Sequence, residues 1–120
     1  YSAKGDKIKT TWGENITAEN VWGEYGGIGM VKEGHLWLTG KKNWGYITKN
    51  DAETVSDLYV DYANQLLGLS NKGICAGVYT QTTDVEGEVN GLITYDRKVI
   101  KVNPEKIRKA NQKLIDSLGK

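Results

Sequence analysis

The run Gly73-Ile74-Cys75-Ala76-Gly77-Val78-Tyr79-Thr80-Gln81 is apolar almost throughout, with no polar alternation before its last two positions. A strand with one wet face alternates apolar and polar residues, so an unbroken run predicts a strand covered on both sides, the pattern of a parallel sheet. Parallel strands need a crossover of a dozen or more residues, usually a helix. The sequence supplies one: Ala52, Val55, Leu58, Tyr59, Tyr62, Ala63, Leu66 and Leu67 recur at three- and four-residue spacing. That stripe predicts a helix capped by Asn50 or Asp51, with Glu53 in its first turn, ended by Gly68 to Gly73. Upstream, Val21 to Tyr25 is a second short apolar run, stopped by Gly26, Gly27 and Gly29. It suits a strand that turns sharply and lets the backbone approach something closely. Strand, helix and strand form one βαβ unit with an expected right-handed crossover, so the fold class is α/β.

The rest of the chain is organised around that unit. Residues 1–20 are polar and read as loop, with Lys7 to Thr10 at best a short exposed strand. Met30 to Asn50 is loop-like, with Gly34, Gly40 and Gly45 spaced among His35, Trp37, Trp44 and Tyr46. Loops of that length in compact domains are usually functional or disordered, and the aromatic content argues against disorder. Ile93 to Tyr95 suits a short strand, Asp96-Arg97 a turn with a local ion pair, and Val99 to Val102 a second short strand. In the last helix Asn103 caps, Pro104 takes the first position, and Glu105 faces the positive end of the dipole. Ile107, Ala110, Leu114 and Leu118 form its stripe and Gly119 closes it. Lys106, Arg108, Lys109 and Lys113 alternate with that stripe, which predicts a solvated face rather than a nucleic-acid patch.

A chain of 120 residues suits one modest domain, and a net charge of +1 gives no electrostatic footprint for nucleic acid or an anionic membrane. The lone Cys75 leaves no internal disulfide and no partners for zinc, and its place in the apolar run predicts a buried small hydrophobe. No stretch approaches the roughly 18 apolar residues of a membrane span, and no signal-peptide pattern opens the chain. It begins on Tyr1 rather than Met, which suits a piece of something longer. Asp84, Glu86 and Glu88 are spaced by two, and in an extended segment would share one side, facing a hard cation or sugar hydroxyls. The ligand pattern of a calcium loop is absent, so neither metal nor cofactor is expected, and Asp84 is expected to be structural or substrate-facing.

Four segments in order, Glu24-Tyr25-Gly26-Gly27, Gly34-His35-Leu36-Trp37, Asn43-Trp44-Gly45-Tyr46 and Tyr79 to Arg97, carry a resemblance. They resemble the last part of the catalytic barrel of glycoside hydrolase family 2, the β-galactosidases and β-glucuronidases. The resemblance is strongest over residues 21–101. It implies a single partial domain over residues 1–120: a fragment of a (β/α)8 TIM barrel comprising the last two strand-helix units, about strands 7 and 8, with a C-terminal helix. Glu24 then matches the family's nucleophile at the end of the seventh strand, and Gly73 to Gln81 matches the eighth. The implied activity is that of a retaining, exo-acting β-galactosidase-like hydrolase, working through a glycosyl-enzyme intermediate on Glu24. Retention needs two carboxylates about 5 to 5.5 Å apart, one attacking the anomeric carbon and the other serving as acid and then base. The family's second carboxylate sits in an Asn-Glu pair far upstream, and no such pair precedes Glu24 here, so the chain alone is expected to be inactive. A bacterial periplasmic or secreted setting would also follow from the resemblance.

On the residues alone, a Glu at a strand end is as readily a surface or ion-paired group, and a nucleophile has to look into a cleft. Tyr25, or a tyrosine across the site, is the expected holder of its charge by hydrogen bonding. Tyr79, Gln81 and Asp84 fall at the C-terminal end of the other strand, where barrel enzymes place their sites. Tyr79 stands where larger β-galactosidases have a tryptophan in the sugar-binding wall. His35 either donates to a sugar hydroxyl or ties down its own Gly34 turn, and Trp37 and Trp44 either stack on a sugar face or anchor the loop. The expected partners are a carbohydrate substrate and whatever covers the sheet edges, either the rest of a barrel or further copies of the chain. A second reading is a non-catalytic carbohydrate-binding module with Trp37, Trp44 and Tyr79 as its stacking platform.

Overall fold

The computed structural model describes residues 6–7, 20–40 and 42–117. Most of the loop expected over residues 1–20, and the Leu118 and Gly119 end of the last helix, lie outside the described residues. The elements run β1 (Asp6–Lys7), β2 (Asn20–Gly26), β3 (Ile28–Gly29), β4 (Ile47–Thr48), α1 (Ala52–Ser70), β5 (Ile74–Thr80) and α2 (Pro104–Asp116). β2 and β5 pair in parallel with α1 between them in sequence, as the βαβ pattern requires. β1 adds two residues antiparallel to β2, so the three-stranded sheet has the order β1-β2-β5. β3 and β4 form a separate two-stranded parallel pair.

β1 corrects one expectation: the parallel pair of β2 and β5 is not left with unpaired edges on both sides. The open edge among the described residues is that of β5, and the exposure of that strand corrects a second. Rather than being covered on both faces, β5 has an exposed stretch from Cys75 to Val78, with Val78 54% exposed: its face away from α1 is open among the described residues. Cys75 is accordingly exposed rather than buried.

α1 is longer than its stripe. The Asp51 carboxylate accepts from the Thr54 backbone N–H at 2.8 Å, the capping geometry the sequence signals. The helix passes through Gly68, where a side chain would meet nothing, and stops after Ser70, with Gly73 in the left-handed region at φ 97°. α2 starts as expected: the Asn103 side chain accepts from the backbone N–H groups of Glu105 and Lys106, and Pro104 follows it. Arg108, Lys109 and Lys113 are exposed, the solvated face expected, and Lys106 is the exception. Lys106 reaches across to Glu53 at 2.6 Å and Asp57 at 2.7 Å on α1, fastening the two helices. Ser56, fully buried, receives the Asn103 backbone N–H at 2.8 Å at the same junction. Between these helices and β3 lies the larger core, built on Ile28, Met30, Val55, Tyr59, Ala63, Val102, Ile107 and Ala110. A smaller one, Trp22, Tyr25 and Leu66, lies between α1 and the sheet.

Candidate functional site

The position of Glu24 follows from an irregularity in β2. Trp22 is opposite Gly77 and Tyr25 is opposite Tyr79, so three steps along β2 match two along β5. That is a bulge at Gly23 and Glu24, and it lets two residues three apart face the same way. Trp22 and Tyr25 are both buried under α1, stacked with ring centroids 4.7 Å apart. Strict alternation would have put Glu24 on the face of Trp22. The bulge puts it on the other, where it is exposed.

On that open face the Thr80 hydroxyl donates to Glu24 Oε1 at 2.9 Å. Thr80 is itself fixed: it is registered with Gly26, and its carbonyl accepts from the Gly27 N–H at 2.8 Å. The Thr80–Gln81 peptide is cis. Gly26 and Gly27 sit at φ 107° and 69°, a conformation that glycine adopts freely and other residues rarely do. A Cβ on Gly26 would come within 2.7 Å of the Thr80 carbonyl oxygen, so the close approach of the two strand ends requires glycine there.

Tyr25 and Tyr79 do not flank Glu24. Both alternate to the helix-covered face, where Tyr79 packs against Tyr59 with centroids at 4.7 Å and against Tyr25 at 5.4 Å. Burial, then the neighbouring Tyr59, pushes the Tyr25 hydroxyl up to about 12, and burial raises Tyr79 as well. The Tyr79 hydroxyl and the Trp22 indole N–H are buried with no hydrogen-bond partner. The charge-holding role expected of Tyr25 falls to the hydroxyl of Thr80, and the sugar-wall role expected of Tyr79 is contradicted by its place in the packing under α1. Thr80 is the functional residue that the sequence reading missed. Its one signal was a hydroxyl at the end of an apolar strand.

Asp84 takes the structural one of its two expected places. It is 6% exposed and faces Lys101, itself 1% exposed, rather than a substrate. Lys101 Nζ donates to Asp84 Oδ1 at 2.7 Å, to the Val89 carbonyl at 2.8 Å and to the Met30 carbonyl at 2.9 Å, while Gly91 N–H donates to Asp84 at 2.8 Å. Burial pushes the Asp84 carboxyl up and the Lys101 ammonium down, each opposed by the charge of the other. The shared side expected for Asp84, Glu86 and Glu88 does not form. Val85 and Glu88 bridge across a tight turn with Glu86 at φ 52°, so the segment is not extended. Glu88 instead accepts from Asn90, whose own side-chain oxygen accepts from Gln81 at 2.6 Å. Among the described residues no group of three or more His, Cys, Asp or Glu side chains converges as metal ligands do.

The His35 backbone N–H closes the Gly34 turn by donating to the Lys32 carbonyl at 3.0 Å, while its side chain reaches a second loop. Its Nδ1 bonds Asp96 Oδ2 at 2.8 Å, joining two loops 61 positions apart. The ion pair expected between Asp96 and Arg97 is thereby corrected: Asp96 also accepts from the Thr94 hydroxyl and the Lys98 N–H, and Thr94, then His35, hold its carboxyl down to about 2. Beside it Trp37, 52% exposed, leans on Tyr95 with centroids 5.8 Å apart. Trp44, 44% exposed, meets Tyr46 edge to face and is bridged through its backbone to Glu88.

Three cavities of about 360, 290 and 470 Å³ open on the described surface, and Glu24 lines none of them. The first runs along β5 between α1 and α2, past Tyr25, Tyr59, Tyr79 and Leu114. What the described residues form around Glu24 is a carboxylate at the C-terminal end of a parallel strand pair that accepts from a hydroxyl of the neighbouring strand. No helix is long and apolar enough to cross a membrane among the described residues. In comparisons with known proteins, the chain matches no family model and no curated protein.

Proposed function

We propose that the chain contributes the nucleophile wall of a retaining, exo-acting β-glycosidase of β-galactosidase type, as part of a barrel whose other strands supply the acid/base carboxylate and the facing wall. One observation carries the reading. Glu24 stands at the C-terminal end of β2, on the face of the β2–β5 pair turned away from α1, held by a hydroxyl from the neighbouring parallel strand. Open α/β sheets and (β/α)8 barrels work at the carboxyl ends of their strands, and a barrel turns its helix-free face inward. The resemblance of residues 21–101 to family 2 supports the assignment, and the open edge of β5 gives a further strand a place to pair. Without the second carboxylate the chain lacks general acid catalysis, which is worth about a hundred- to ten-thousandfold.

In the full-length protein carrying this sequence, Glu24→Ala abolishes hydrolysis of nitrophenyl β-galactoside, run beside the β-glucuronide and β-mannoside. Added azide restores turnover by bonding to the anomeric carbon from the vacated side as nitrophenolate departs, giving a glycosyl azide. Wild-type rates in the variant would remove Glu24 from the role.

A second reading draws on exposed Trp37, Tyr95 and Trp44: a sugar-binding surface without turnover. Sugar binding that survives Glu24→Ala and is lost in Trp37→Ala would favour it.

A further inference from the structure

We propose that Thr80 aims the Glu24 carboxylate and is the positioning residue for the glycosylation step, an inference that rests on Glu24 being the nucleophile. Beside a bulge the regular ladder no longer fixes a side chain's direction, and a glutamate has three torsions to settle. The Thr80 hydroxyl, 2.9 Å from Oε1, restricts them. Thr80 can do this because it is itself immobilised: its Cα is registered with Gly26 and its carbonyl holds the Gly27 N–H at 2.8 Å. The donor and the carboxylate therefore belong to one rigid unit, the paired ends of β2 and β5.

Two effects of this bond oppose each other. A hydroxyl donating to a carboxylate stabilises its full charge, which makes it a weaker nucleophile. Orientation works the other way, since misplacing a reacting group by about 1 Å costs about a hundredfold. The Thr80 hydroxyl is a neutral donor and the carboxylate it reaches is exposed, so its effect on the charge is small and orientation decides the sign. In the step concerned, a Glu24 oxygen bonds to the anomeric carbon with its lone pair while the bond to the aryl oxygen breaks and the phenolate leaves with that electron pair.

The test isolates the step. Dinitrophenyl deoxyfluoro-β-galactoside transfers its glycosyl group to the nucleophile and releases dinitrophenolate without needing an acid, and the fluorine then slows hydrolysis of the product. Labelling of Glu24 in the full-length protein is followed by dinitrophenolate release and located by peptide mass spectrometry. Thr80→Val keeps the shape and removes the donor, and is expected to label about ten- to a hundredfold more slowly, the range of one hydrogen bond to a charged group. Thr80→Ser restores the donor and stays within about threefold of the wild type. The affinity for nitrophenyl β-thiogalactoside is unchanged in both, which a collapse of the site would not allow. If the valine variant does not fold, Thr80→Ala carries the same expectation. Labelling of the donor-less variant at the wild-type rate, with Glu24 labelled in both, overturns the role of Thr80 and leaves the proposed function standing. No label on Glu24 in the wild type overturns both.

Discussion

The two faces of the β2–β5 pair are built from adjacent residues and have opposite characters. Toward α1 lie Trp22 and Tyr25, stacked and buried, with the half-buried Tyr79 edge-on to Tyr25 and two polar atoms enclosed without partners among the described residues. Away from α1 lie Glu24, Val78 and Thr80, exposed or half-exposed, with one side-chain hydrogen bond joining the strand ends. The difference separates what holds this segment together from what it can do. Apolar area buried under the helix supplies stability at about 25 cal/mol per Å², and the face that carries the carboxylate contributes little to it. The bulge at Gly23 and Glu24 makes the division possible, because it keeps Trp22 and Tyr25 together on one side while releasing Glu24 to the other. A second contrast runs along the chain. The strand ends of the sheet are tied by hydroxyl and backbone bonds, whereas the segments that follow them, around Met30, Asp84 to Gly91 and Lys101, are gathered by one buried ammonium.

That ammonium gives the largest expected effect. Lys101→Met leaves the Asp84 carboxylate buried without its cation and takes a donor from the Met30 and Val89 carbonyls, the second of which keeps the Met30 N–H. It should cost about 3–5 kcal/mol in the 120-residue chain, as breaking a buried pair from one side does. Adding Asp84→Leu, which removes the stranded charge, should recover part of the loss. Chemical denaturation of the two variants measures both numbers. A loss below about 1 kcal/mol for Lys101→Met would mean that the three segments are held mainly by their apolar contacts.

How much of this was legible in the sequence depends on the distance over which each feature is decided. The caps at Asp51 and Asn103 and the stripes of both helices are settled within a turn of their own residues, and they stand where the spacing puts them. The parallel pairing of β2 and β5 followed from two apolar runs on either side of a helix. The burial of Lys101 was not readable, since a lysine among Ile100 and Val102 looks like a surface residue and its partner Asp84 has no spacing rule that points to it. The bond between His35 and Asp96 depends on how two distant loops fold back together. The bulge in β2 was hidden because period-two alternation assumes a regular ladder, so Thr80, its neighbour across the pair, went unnoticed. The run from Gly73 to Gln81 predicts a doubly covered strand, and among the described residues β5 has a single strand beside it.

That mismatch can be sharpened by comparing neighbours on the two faces. Tyr79→Phe removes a buried hydroxyl that has no partner and should stabilise the 120-residue chain by about 1 kcal/mol. Val78→Thr alters the open face and should change stability by less than about 0.5 kcal/mol. In the full-length protein the second result should differ. If further strands enclose the open face, the same Val78→Thr change places a hydroxyl in a packed interior and costs more than about 1 kcal/mol. Thermal unfolding of each variant in both contexts decides it, and a neutral Val78→Thr in the longer protein would leave the open face open there too.

The smallest effect concerns the loop fastening on the surface, and its sign follows from Asp96. Its carboxyl is held down to about 2 by the Thr94 hydroxyl, His35 and the Lys98 N–H, against about 3.9 for an unfolded aspartate. A depressed folded value means that the folded chain binds the proton less readily than the unfolded one. The contribution of Asp96 is therefore complete above about pH 4 and is lost as the pH falls toward 2. Other carboxylates, among them Glu53 and Glu105, are also held below their usual range and weaken the whole protein over nearby pH values. The informative quantity is therefore the difference between the wild type and Asp96→Asn. The melting temperatures of the two should differ by a constant amount from about pH 5 to 7 and converge as the pH approaches 2. A gap that stays constant down to pH 2 would show that the amide replaces the carboxylate in the His35 contact, and that shape, not charge, joins these two loops.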